Sequence, residues 1–161
     1  MESQEPKQAE STTPLLDVLV EFMEQDNWPI NRIEGQNAVS VNFQGTSGRW
    51  GCIGRTDEDK QLALFFSYAP IKVEEDKRDE MAKFLTKANY GLYIGNFEFD
   101  YNDGEVRCKT SIDVEGSALD TELVKRMVYN NVGIMDKYLP GIMGIVYGNM
   151  DAADAIKKTE G

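Results

Sequence analysis

After a polar start the chain opens on an apolar stripe. Leu15, Val18, Leu19 and Phe22 recur at helical spacing with Met23 alongside, while Glu21, Glu24 and Asp26 fall on the other side. This predicts an amphipathic helix. Thr13 is its N-cap and Pro14 its first residue. It must stop near Asn27, because Trp28 precedes Pro29 and is pushed out of the α region. The period then changes to that of strands. Asn31 to Gly35 predicts a short, weak strand. Val39, Val41 and Phe43 alternate with Ser40, Asn42 and Gln44 as a half-buried one. Ser47-Gly48 turns the chain back into a strand from Arg49 to Arg55. The expected register sets Trp50 against Gly45 and Cys52 against Phe43. After a polar turn at Asp57 to Lys60, Gln61 to Tyr68 is apolar on both sides, which predicts an inner strand covered on both faces.

A second helix is expected from Val73 to Asn89. Glu74, Glu75 and Asp76 suit its positive N-terminal end, Lys83 and Lys87 its C-terminal end. Met81, Phe84, Leu85 and Ala88 form its stripe, and Gly91 ends it. A third helix is capped near Asp120, with Leu123, Met127, Val128, Asn131, Met135, Tyr138 and Leu139 facing inward. Pro140 interrupts it, and Gly141 to Gly148 continues either as a kinked helix or as a separate one. Asp151 to Lys158 reads as a short, poorly anchored terminal helix. The expected fold is α+β. It has an antiparallel sheet of about five strands with helices packed on it, in the order α-β-β-β-α-β-β-α. One domain spans 12–158, behind a mobile polar tail at 1–11.

Between the second and third helices lies a hairpin, residues 96–113. Asp103-Gly104 has the composition of a two-residue turn. That turn sets Asp100 opposite Arg107, Glu98 opposite Lys109, Tyr101 opposite Val106 and Phe99 opposite Cys108. Phe97, Phe99, Tyr101, Val106, Cys108, Thr110 and Ile112 then share one face, and the charges share the other.

Composition narrows the partners. Of 161 residues, 41% are hydrophobic and 28% charged, which is ordinary for a globular domain. The net charge of −11 repels nucleic acid and anionic lipid. The chain has no histidine and two cysteines, Cys52 and Cys108. Histidine bases and histidine-containing zinc sites are therefore excluded, and the two thiols are expected to be reduced and buried. No signal peptide is evident in the opening residues, and no run is long and apolar enough to span a bilayer. The expectation is a cytoplasmic protein with no cofactor, no nucleic acid and no membrane partner.

Motifs that suggest chemistry have simpler readings. Glu98 and Asp100 could form an acid–base pair, but alternate carboxylates facing cations describe a solvated sheet face. Asp100 to Gly104 fails as a calcium loop, because Asp103 occupies the glycine position and Lys109 the position of the bidentate glutamate. Gly45, Gly48, Gly51 and Gly54 lie in a hairpin with no helix behind it, so turns and close packing explain them better than a phosphate loop. Gly141, Gly144 and Gly148 suit a tight helix crossing. Met127, Met135, Met143 and Met150 are core residues by spacing, though methionine also serves adaptable binding surfaces.

Residues 88–117 carry Asn89, Tyr90 and Gly91, then Gly95, Asn96, Phe97 and Glu98, then Asp103-Gly104 running into Val106, Arg107, Lys109 and Thr110. This pattern resembles the YbjN-domain family of bacterial proteins. The C-terminal MDKYLPGIMGIVYG is similar to that family's ending, and the resemblance covers residues 14–158. It implies a type III secretion chaperone-like fold, a dimer, and a sensory-transduction or protein-binding role with no catalytic residues to carry over.

The expected function is a non-enzymatic, chaperone-like or regulatory protein-binding domain. It would be a homodimer held through the second helix and the hairpin, with Val73 and Met81 as apolar flank residues. Its client would sit on the exposed sheet face or in the groove against the third helix. The alternative is a small-ligand sensor with a pocket between sheet and C-terminal helix, near Trp50, Tyr68 and Tyr138. Candidate binding residues are Trp50, Tyr68, Met135, Tyr138, Met143 and Tyr147.

Overall fold

The computed structural model describes residues 9–161, so the expected tail at 1–11 lies largely outside the described residues. The elements are α1 (Pro14–Gln25), β1 (Asn31–Arg32), β2 (Ala38–Gln44), β3 (Arg49–Asp57), β4 (Leu62–Lys72), α2 (Arg78–Asn89), β5 (Asn96–Phe99), β6 (Glu105–Asp113), α3 (Thr121–Gly148) and α4 (Ala152–Glu160). The strands form one antiparallel sheet in the order β1-β2-β3-β4-β6-β5. It has six strands rather than about five, since the weak segment after α1 does pair, through Asn31 with Ser40 and Arg32 with Val39.

The helices pack on one face. Leu19, Met23, Phe84, Met135 and Ile142 join Val39, Trp50, Phe65 and Cys108 in a single core cluster. Burial of such side chains, at about 1.5–3 kcal/mol each, is the main force holding the layers together. Phe66 lies outside that cluster, as do Ile53, Leu64 and Tyr68. The expectation that β4 is covered on both faces is therefore corrected. It is an inner strand with helices on one side.

Both hairpins keep the expected faces but shift register by two. Glu98 pairs with Arg107 and Phe99 with Val106, whereas the sequence reading set Asp100 against Arg107. The connection is a longer loop, Tyr101–Gly104. Asp100 donates its N–H to the Glu105 carbonyl and accepts from Gly104 N–H. Asp100 Oδ1 accepts from Asn102 N–H at 2.8 Å, and Asp103 Oδ1 from Glu105 N–H at 2.9 Å. Those side-chain bonds stabilise a bend longer than two residues. Between β2 and β3, Phe43 pairs with Trp50 and Val41 with Cys52, again two residues from expectation. The indole still covers Gly45, where a Cβ would lie 2.7 Å from it.

α2 begins at Arg78, not Val73. Val73 donates its N–H to the Gly104 carbonyl at 2.9 Å. Gly104 has φ +80, and a Cβ there would lie 2.1 Å from Val73 O, so no other residue fits. Val73 and Met81 are both buried, so neither is an apolar flank free for a second copy.

α3 runs unbroken through Pro140. A proline has no N–H for the carbonyl four residues back, which here is Asp136. Ser47 Oγ, from the β2–β3 loop, lies 2.7 Å from that carbonyl and 2.6 Å from Asp136 Oδ1, so its one proton is shared between them. The Asp136 carboxylate accepts from the N–H groups of Thr46 and Ser47 at 3.0 and 2.7 Å. Burial would raise the Asp136 carboxyl, but these donors outweigh it and hold the group below its usual value. The loop thus docks where the proline leaves the helix backbone open. α4 is better anchored than expected. Ala155 is fully buried, Ala152 N–H donates to Glu80 Oε1 at 2.6 Å, and Tyr138 Oη donates to Glu160 Oε1 at 2.6 Å.

Candidate functional site

The helix-free side of the sheet is the part of the surface with a built, mixed character. Two rows of side chains cross it. One runs Ser40, Ile53, Phe66, Lys109, Asn96, and the other Asn42, Gly51, Tyr68, Arg107, Glu98. Phe66 is only 4% exposed although no helix covers it. The guanidinium of Arg107 lies 4.5 Å from its ring and that of Arg55 5.8 Å, with Tyr68 at 6.2 Å. Cations over a ring face are attracted to it, and their long stems cover apolar surface. Glu98 accepts from Arg107 Nε at 2.9 Å and from Lys109 Nζ at 3.2 Å. Burial alone would raise its carboxyl, but the two cations outweigh that and hold it below its usual value.

Two hollows flank the Tyr68–Arg107 pair. One, of about 240 Å³, centres on Gly51, Asn42, Ile53 and Tyr68. The other, of about 400 Å³, lies against Glu98, Phe99, Glu105 and Arg107. This surface offers apolar contact, stacking and charge. Neither thiol lies on it. Both thiols face the core, where burial pushes Cys52 up to about 11 and Cys108 up to about 12. Among the described residues no cluster of His, Cys, Asp and Glu is arranged to hold a metal ion.

The candidate residues read from sequence do not converge on one place. Trp50, Met135 and Tyr138 are core residues. Trp50 Nε1 donates to Ser67 Oγ at 3.0 Å, and the Tyr138 ring stands edge-on to Phe97 and Phe84. Tyr68 lies on the helix-free face, opposite to Trp50, because its cross-strand partner is Gly51. The expected pocket near Trp50, Tyr68 and Tyr138 is thus divided by the sheet itself. Met143 is half-buried on α3, and Tyr147 is exposed beyond it. Sequence reasoning missed Arg55, Ile53, Leu64 and Phe66. The two-sided apolarity of Gln61–Tyr68 is the signal for Leu64 and Phe66, consistent in sequence with any cover on both faces; Arg55 and Ile53 lie on β3, outside that run. It also missed a second apolar exposure, Tyr90, Tyr93 and Ile94, in the loop between α2 and β5.

Residues 15–142 match the YbjN family model, described as "Putative bacterial sensory transduction regulator". The chain belongs to the YbjN family. In solved structures this YbjN chain is similar to YbjN from E. coli, with a TM-score of 0.60 and 12% identity over 79% of this chain and 89% of that one. A chain of the ExsC–ExsE complex aligns with a TM-score of 0.59 and 17% identity, covering 82% of this chain and 98% of that one. A chain of the HopA1–SchA chaperone–effector complex gives 0.54 and 14%, covering 79% and 95%. At such identities the likeness is one of fold, and that fold is type III secretion chaperone-like. No curated protein sequence matches the chain. The family motif now has physical content. Asn89 binds the backbone of Phe97, and Gly95 (φ +81) passes so close to β6 that a Cβ would lie 3.0 Å from Lys109 O.

Proposed function

We propose that this YbjN-family chain is a non-enzymatic protein-binding domain, chaperone-like or regulatory, that holds a client on its helix-free sheet face. The observation carrying this reading is Phe66. It is a large aromatic residue outside the main core cluster, flanked on the helix-free face by the side chains of Arg55, Arg107 and Tyr68 and by its cross-strand neighbours Ile53 and Lys109. Side chains, unlike a packed helix, are a cover that a partner can share or replace. The similar folds come from complexes of one protein with another, which supports a protein client. Tyr68 is the candidate residue retained at the centre; Met143 and Tyr147 stand on α3, in the helical layer across the sheet, and are no part of this face. The chain acts as one domain over 12–158 and works in the cytoplasm; no described helix is long and apolar enough to cross a membrane. It forms a homodimer through α2 and the 96–113 hairpin, where Asp79, Ala82, Lys83, Thr86, Lys87 and Tyr101 line a shallow depression.

The test is affinity capture from native lysate by the wild type and by a Tyr68→Glu, Ile53→Glu variant, with mass spectrometry. A protein held by the wild type and lost by the variant is expected. Equal capture by both refutes the face. For the dimer, light scattering at micromolar concentration should give twice the subunit mass, persisting as salt rises. A mass of one subunit refutes it.

A further inference from the structure

Gly51 lies in mid-strand with no packing reason to be glycine. Beyond its chain neighbours, a Cβ there would have Asn42 Oδ1 at 3.8 Å as its nearest atom. The companion glycines are different. A Cβ would meet Asp136 at 2.6 Å from Gly45, Leu139 at 2.9 Å from Gly48 and Leu19 at 3.2 Å from Gly54. Those three are crowded by their neighbours, and Gly51 is not. A glycine inside a strand weakens it, so its effect here is to leave space. The ring of Tyr68, its cross-strand neighbour, stands 6.2 Å from that of Phe66, and no atom of Tyr68 comes within 4 Å of a Cβ at Gly51. The resulting hollow of about 240 Å³ is smaller than the ~300–1,000 Å³ of small-molecule sites. It suits a single side chain.

The charges around the hollow are unlike those of the chain. The protein carries −11 overall. Yet beyond the hollow's uncharged lining, Arg107 stands beside Tyr68, Lys109 beside Phe66, and Arg55 four residues along β3 from Gly51. Of the carboxylates beside them, Glu98 is already bridged between Arg107 and Lys109, and Glu105 lies 3.4 Å from Lys72 Nζ. Taking the protein-binding reading above as premise, we infer that the Gly51 hollow receives an apolar side chain of an acidic polypeptide segment. The segment's carboxylates meet Arg55, Arg107 and Lys109. Such a partner is attracted to this face and repelled by the rest of the surface, which fixes where it docks.

Random peptides displayed on phage, selected against the immobilised full-length protein, provide the probe. Gly51→Val fills the hollow, has room for its Cβ and favours a strand, so it should unfold at the same or higher urea concentration than wild type. Enriched peptides should carry an apolar residue flanked by Asp or Glu and bind Gly51→Val about tenfold or more weakly. Arg55→Glu gives a second reading should Gly51→Val fail to fold, and should also weaken binding. Enriched peptides that are neutral or basic overturn the inference. So do peptides that bind the variants as well as wild type, for instance on the Tyr90–Ile94 loop, although protein binding would then still stand. Failure to enrich any peptide counts against both.

Discussion

The side-chain amide of Asn89 holds the outward backbone of Phe97 at both ends. Its Oδ1 accepts from Phe97 N–H at 2.7 Å and its Nδ2 donates to Phe97 O at 3.1 Å. Phe97 lies on β5, an edge strand whose unpaired groups would otherwise offer a template to another chain. The last residue of α2 therefore closes the edge in place of a neighbouring strand. Asn89→Ala should cost about 1–3 kcal/mol in urea denaturation, since Phe97 N–H loses its partner and Phe97 O keeps only Asn96 Nδ2 at 3.2 Å. It should also promote association at high concentration, read by light scattering. An unchanged midpoint would contradict this role.

Ser47 and Pro140 should be energetically coupled. Ser47 Oγ serves the Asp136 carbonyl that Pro140 cannot. Ser47→Ala is expected to cost about 1–2 kcal/mol in wild type. The cost should shrink by about 0.5 kcal/mol or more in a Pro140→Ala background, where a helical N–H becomes available. Additive effects in that double-mutant cycle would break the link.

Asn131 should tolerate charge badly. It is fully buried on α3, and its Nδ2 donates to the carbonyls of Phe65 on β4 and Cys108 on β6 at 2.8 and 3.0 Å. Asn131→Asp would aim a carboxylate at those oxygens, with an expected loss of about 3–5 kcal/mol at neutral pH. The loss should lessen in acid, where the introduced group can protonate and donate. A pH-independent loss below about 1 kcal/mol would argue against this contact.

The thiols make a prediction for alkaline pH. Burial raises both above their ordinary value of 9.0, to about 11 for Cys52 and about 12 for Cys108. Below pH 9 both states are protonated and nothing is gained or lost. Above it only the unfolded thiols ionise, so stability falls as pH rises. Between pH 8 and pH 10 the fall should be about 1.4 kcal/mol per thiol. A Cys52→Ala, Cys108→Ala variant should be flatter by about twice that amount, measured by urea denaturation in reductant. Native thiols should also label slowly with Ellman's reagent. An identical slope in the variant, or rapid labelling, would contradict the burial argument.

Sequence alone determined which residues face the core. The stripe Met81, Phe84, Leu85 and Ala88 is buried in full, and Asp120 caps α3 by accepting from Leu123 N–H at 2.8 Å. Strand alternation has a period of two, so it fixes the face of every side chain. It cannot distinguish registers that differ by two, because both bury the same residues. That is why Phe97, Phe99, Val106 and Cys108 share the predicted face while Glu98, not Asp100, meets Arg107. Loop length decides between such registers. It was set by hydrogen bonds of Asp100 and Asp103 that the turn composition did not reveal. Tertiary structure also decided the fate of Pro140, through Ser47, which lies 93 residues earlier. It decided as well which side of β4 the helices cover. A strand apolar on both faces is compatible with a helix or with arginine stems above it. Only the packing of the whole chain put helices over Phe65 and left Phe66 to Arg55 and Arg107.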